Sequence, residues 1–72
     1  MIKLIKSSHY RGAAHSTIYV YITRLRTNIY VRYSKNSSGK VTFWNERVWG
    51  TMITPKEKKE IKKEIESDSD LL

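Results

Sequence analysis

The stretch TIYVYITRLRTNIYVRY, residues 17–33, sets four tyrosines and three arginines among β-branched aliphatics. Its first part, to about residue 25, has the β-branched and aromatic content of a strand. A turn is expected near Arg26, Thr27 and Asn28, and a second strand from Ile29 to about Ser34. Side chains alternate faces along a strand, so the loop length decides which residues of this hairpin share a surface. A four-residue loop at 25–28 sets Ile22 opposite Val31 and Val20 opposite Tyr33. Ile18, Val20, Ile22, Ile29 and Val31 then gather on one face, and Tyr19, Tyr21, Thr23, Tyr30 and Arg32 on the other. An odd loop, such as residues 26–28, mixes Tyr19 and Tyr21 with Ile29 and Val31 and splits the aromatic surface apart. The even loop therefore predicts one apolar face for a helix and one face of rings carrying an arginine.

Outward from the hairpin, residues 2–5 (IKLI) form a short first strand and residues 7–16 (SSHYRGAAHS) a loop in which Gly12 frees the backbone. Residues 35–40 (KNSSGK) have turn chemistry, and residues 41–49 (VTFWNERVW) form a third strand of the sheet, closed by Gly50. If a six-residue loop 35–40 pairs Ser34 with Val41, Trp44 joins the apolar face and Phe43 and Asn45 the other. In TPKEKKEIKKEIES, residues 54–67, Thr54 is placed to cap a helix, Pro55 fits its first position and Glu57 stands where a capping-box acid belongs. The apolar stripe is only Ile61 and Ile65, too narrow to hold the helix alone, so it docks on one sheet face. The fold expected is α+β: a small antiparallel sheet of three to four strands with one C-terminal helix packed on one face. It occupies residues 1–66, and residues 67–72 form a frayed acidic tail.

The order of residues 29–66, from IYVRYSKNSSGK through an aromatic strand to TPKEKKEIKKEIE, resembles the small three-stranded-sheet-plus-helix arm-binding domains of phage-type tyrosine integrases. Those domains put the sheet into a DNA groove. The likeness covers about half the chain, lacks the catalytic domain that normally follows, and implies architecture only.

At 72 residues the chain buries a thin core, and without cysteines it has neither a disulfide framework nor a thiolate metal site. The opening MIKLIK is too short for a signal-peptide core and no run approaches a membrane span, which points to a cytoplasmic protein with no membrane partner. The net charge of +7 is uneven: residues 1–53 carry nine cations and one acid, a net +8, whereas residues 54–72 carry five lysines and six acids, a net −1. The positive field thus belongs to the tyrosine-rich half, where it attracts a polyanion.

A sheet face of rings with arginine suits single-stranded nucleic acid, because any base stacks on a ring while cations hold phosphates. The expected function is non-enzymatic binding of RNA or single-stranded DNA, with Tyr19, Tyr21, Tyr30 and Phe43 stacking and Arg24, Arg26, Arg32, Lys35, Lys40 and Arg47 on phosphates. Against this stands the reading of the tyrosines as strand-forming filler. The rival function is a stand-alone inhibitor, of the host-takeover or antitoxin kind, that covers an acidic site on an enzyme with the same Tyr, Trp and Arg residues. A third is a small ribonuclease using His9 and His15 beside Tyr10 and Arg11, although no carboxylate lies nearby in sequence to orient either ring. No metal or cofactor motif is present, and a free strand edge makes a homodimer a further possibility.

Overall fold

In the computed structural model, which describes all of residues 1–72, the hairpin forms the middle of a four-stranded antiparallel sheet. Strand β1 is Ile2–Arg11, β2 Ser16–Ile22, β3 Thr27–Lys35 and β4 Val41–Phe43, in that order across the sheet. A four-residue helix α1, Glu46–Trp49, and a longer helix α2, Pro55–Ser67, follow.

Strands β2 and β3 pair Ile22 with Thr27, Val20 with Ile29 and Ile18 with Val31. Their loop is residues 23–26, closed by the Leu25 N–H donating to the Ile22 carbonyl (3.1 Å), with Arg26 at φ 52°. The turn sits two residues before its expected place. Because that loop also holds four residues, the register moves by an even number and the division of faces survives. The earlier turn leaves Arg24 outside the ladder, free to reach α2.

β1, ten residues long, runs six residues beyond the strand read from IKLI. It pairs Ile5 with Tyr19 and then Tyr10 with Thr17, so four residues of β1 bulge opposite Ile18. The Ser8 hydroxyl spans the gap, donating to the Ile5 carbonyl (2.6 Å) and accepting from the Tyr19 N–H (2.9 Å). The true turn is residues 12–15, where any Cβ at Gly12 would collide with the His15 carbonyl.

The third expected strand departs furthest. Lys35 pairs with Val41, leaving a five-residue loop, 36–40, in which Asn36 Oδ1 accepts from the Ser38 and Lys40 N–H groups and Gly39 takes φ 83°. One residue of slip flips every side chain. Phe43 therefore lies on the helix side, edge-on to Trp49 at 4.9 Å, and Trp44 is exposed, the reverse of the expected placement. The strand stops at Phe43 because the Asn45 side chain takes over the edge of β3. Its Oδ1 accepts from the Arg32 N–H (2.9 Å) and from Trp49 Nε1 (2.9 Å), and its Nδ2 donates to the Tyr30 carbonyl (2.7 Å). Residues 46–49, read as strand, wind into α1 and carry Trp49 into the core.

Helix α2 begins as expected, with Thr54 as cap, Pro55 in the first turn and a complete Thr54–Glu57 capping box. Ile61 and Ile65 pack on Ile18, Val20, Ile22, Val31 and Tyr33, with Trp49, Ile53 and Leu71 closing the rim. Leu71 is only 2% exposed, Ser16 Oγ donates to the Leu72 carbonyl (2.6 Å) and Lys6 pairs with Asp68. Residues 68–72 are thus docked, not a frayed tail: the acidic residues before it hide a single leucine that completes the core. Residues 29–66, taken as resembling a three-stranded unit, hold two strands, and β1 and β2 complete the sheet. No helix is long and apolar enough to cross a membrane.

Candidate nucleic-acid interface

The face turned away from α2 is where the alternation places the rings. The β2–β3 register sets Tyr19 directly opposite Tyr30, with ring centroids 5.0 Å apart and planes inclined by 52°. The two remain 43% and 40% exposed. The Arg32 guanidinium lies 5.9 Å from the Tyr30 ring centroid, within cation–π range. Tyr21, half-buried, stands between Lys3 on β1 and Asn28 on β3. Toward the other end, Tyr10 pairs with Thr17 and is exposed, and Trp44, 55% exposed, packs on His15 at 4.9 Å.

Three of the four predicted stacking residues, Tyr19, Tyr21 and Tyr30, therefore share this face, and Phe43 does not. Among the predicted phosphate ligands, Arg26, Arg32, Lys40 and Arg47 are exposed and form no ion pair. Arg24 is committed elsewhere. Its Nε and Nη2 donate to the two oxygens of Glu57 (3.0 and 2.8 Å), and Nη2 also reaches the Met52 carbonyl. The Arg24 hydrogen bonds, joined by the Thr54 N–H, hold the Glu57 carboxyl down at about 2. Lys35 is also engaged: Nζ donates to the Ile65 and Asp68 carbonyls (2.9 Å each), a cation at the C-terminal end of a helix whose own last turn has none.

Side chains outside the sequence-derived set enlarge the face: Lys3, Tyr10 and Trp44. Tyr10 was obscured by the bulge, since nothing in SSHYR announces that a serine hydroxyl will carry the ladder. Trp44 was misplaced by loop parity alone. Asn36 and Gly39 hold the signal that could have corrected it, because an Asn that folds onto its own loop and a Gly at positive φ shape a five-residue turn. Beside His15, a polar recess of about 290 Å³ is lined by Arg11, Ser34, Lys35, Asn36 and Ser37 among others.

The histidines are not assembled into one site. His9 Nε2 meets the Tyr33 hydroxyl at 2.9 Å on the helix side, whereas His15 stacks on Trp44. Burial lowers the His9 pKa and pushes the Tyr33 phenol up to about 12. The buried Nδ1 of His15 has no hydrogen-bond partner, and no carboxylate touches either ring. No group of three or more His, Asp or Glu side chains is close enough together to hold a metal ion.

Folding also redistributes the charge. The C-terminal segment, balanced in sequence, spends its acids on other elements: Glu57 on Arg24, Asp68 on Lys6 and Glu66 on the Val41 N–H. Its tail packs across the end of the sheet, with Asp68 against Lys6 and Lys35, Leu71 in the core and Leu72 against Ser16. Comparison with protein-family models, with curated proteins and with solved structures finds no match to this chain.

Proposed function

We propose that the protein is a non-enzymatic, cytoplasmic binder of single-stranded nucleic acid, RNA or DNA, that stacks unpaired bases on Tyr19 and Tyr30 while Arg32 and its neighbours hold phosphates. The observation that carries this reading is the exposed Tyr19–Tyr30 pair beneath Arg32, on a sheet face that no other element covers. Leaving several rings half in water forfeits apolar burial in a chain that has little to spare, and a stacking surface supplies a reason for it. Bases in a duplex are already stacked on each other, so exposed rings favour unpaired strands. Tyr10 and Trp44 extend the platform, Lys3 pairs with Tyr21 on the same face, and Arg26, Lys40 and Arg47 are exposed cations that form no ion pair. β1, bulged and carrying Lys3 and Lys6, is a poor edge for pairing with a second copy, so one copy suffices for this reading.

The test is fluorescence anisotropy with labelled oligothymidylate and oligouridylate over a salt series. With about four phosphate contacts, log affinity falls against log salt with a slope of roughly −3. A salt-insensitive affinity, or none for either polymer, refutes the reading.

One observation favours a protein partner. Val48 and Met52 are exposed beside Tyr30, in a recess that also includes Ile29 and Trp49, and Trp44 adds a further exposed ring. An inhibitor covering an acidic enzyme site would bury these side chains as anchors. Recovery of the protein from cells free of nuclease-sensitive nucleic acid and bound to one acidic protein would select that second reading.

A further inference from the structure

The outer side of α2 is as basic as the ring face, and it is built from what pairing leaves behind. Lys56, Lys59, Lys62 and Lys63 are exposed and none has an ion-pair partner. At 3.6 residues per turn, positions 56, 59 and 63 stack on one side of a helix, and 62 flanks them. The buried Glu57, Ile61 and Ile65 occupy the opposite side. The segment's acids offset this row only in part. Glu57 faces the sheet and is held by Arg24, Glu66 reaches the Val41 N–H, and Asp68 is held by Lys6. Glu60, the acid nearest the row, lines the same groove as Lys56, Lys59 and Lys63, 3.9 Å from the N-terminal amine. Of the helix acids, Glu60 and Glu64 are left partly or fully exposed, two against four unpaired lysines, so this side of the helix keeps a net charge of +2.

The apolar side chains beside the row are Met1 on one flank and Pro55 with the part-buried Phe43 on the other. They form neither a fully exposed ring platform for base stacking nor the continuous apolar helix face that membrane-surface binding needs. What remains is recognition of a regular polyanion by point charges. The ring face and the lysine face lie on opposite sides of one sheet, in a molecule whose shortest extent is 20 Å.

We infer that the lysine row of α2 holds the phosphate backbone of a second nucleic-acid segment, so that one copy of the protein bridges two segments, one stacked on the sheet and one held by charge on the helix. The inference rests on the stacking role of the sheet face and adds a second site with different chemistry. The sheet site needs unpaired bases, whereas the helix site accepts a duplex, because phosphates are all it reads.

The experiment uses a donor-labelled oligothymidylate of about ten nucleotides, within the span of a small stacking site, and an acceptor-labelled duplex of unrelated sequence. Wild-type protein is expected to produce energy transfer between them. The quadruple variant K56Q/K59Q/K62Q/K63Q keeps short-strand affinity within about threefold, binds duplex only weakly with a salt slope shallower by about 3, and abolishes transfer. K59Q/K63Q, which perturbs the helix less, gives an intermediate loss of transfer. Tyr19→Ala with Tyr30→Ala loses the strand but retains the duplex.

Strand binding without energy transfer in the wild type overturns this inference and leaves the sheet reading standing. Transfer that persists in the quadruple variant also overturns it, because the second segment is then held elsewhere or by a second copy. Strand affinity unmoved by the tyrosine substitutions refutes the sheet reading, and the two-site bridge falls with it.

Discussion

The two faces of the sheet are made from the same strands and obey opposite rules. On the helix side, Ile18, Val20, Ile22 and Val31 are wholly buried in one apolar cluster. On the other side the same strands present Tyr19, Tyr30 and Arg32 to solvent. Alternate side chains of the same strands thus hold the fold together on one face and stand free of it on the other. Substitutions on the first face are expected to act on stability and those on the second on binding, and how cleanly the two separate measures how far the ring face is a working surface.

The largest effect belongs to the covered face. Ile61→Ala, which empties the centre of the α2 contact, is expected to cost about 2–5 kcal/mol. For so small a domain that leaves much of the population unfolded at room temperature. Urea titration followed by the fluorescence of buried Trp49 measures the loss, and a small loss would show that the helix adds little to the sheet.

Next is the clamp between the faces and the helix start. Glu57→Gln removes the charge that Arg24 and the Thr54 N–H share, and is expected to destabilise the fold by about 1–3 kcal/mol. The pH dependence has a definite sign. The folded carboxyl sits at about 2 against an ordinary 4.5, so its contribution is complete above the ordinary value. It is lost as pH falls from there toward 2. His9, whose pKa is lowered by burial, adds a loss that begins nearer neutrality, as the unfolded imidazole takes up its proton first. Melting temperature against pH should therefore decline in two stages, and Glu57→Gln should flatten the more acidic one alone.

Legibility followed how local the determinant was. The start of α2 was readable in full, because Thr54, Pro55 and Glu57 act within one turn. The division of the hairpin faces was readable too, since it depends only on loop parity, and an even error of register left it intact. What failed were features decided by one side chain replacing a backbone partner. Ser8 bridging the β1 bulge and Asn45 ending β4 are invisible to hydrophobic periodicity, yet they fix where Tyr10 and Trp44 point. Likewise, Arg24 and Lys35 look in sequence like any other exposed cations, and only the placement of α2 withdraws them from the candidate site.

The smallest effects are expected among the cations. Lys40→Gln and Arg47→Gln should leave stability within about 0.5 kcal/mol. Each should lower the salt slope for a single strand by about 0.7. Arg24→Gln should do the opposite, destabilising the fold while leaving that slope unchanged. A slope reduced by Arg24→Gln would show that its guanidinium leaves Glu57 to hold phosphate.

The central claim is that Tyr19 and Tyr30 are a stacking platform and not strand-forming filler. Its most direct test is the affinity of the double variant Tyr19→Ala, Tyr30→Ala for a short oligothymidylate, measured beside its thermal melt. Each lost stacking contact is expected to weaken binding by about 1–3 kcal/mol. The lost cross-strand pair should cost at most about 1 kcal/mol of stability. A folded variant whose affinity has dropped by at least tenfold is the predicted result. A variant that binds the strand as tightly as wild type, or that unfolds outright, would contradict the claim and return the tyrosines to the role of filler.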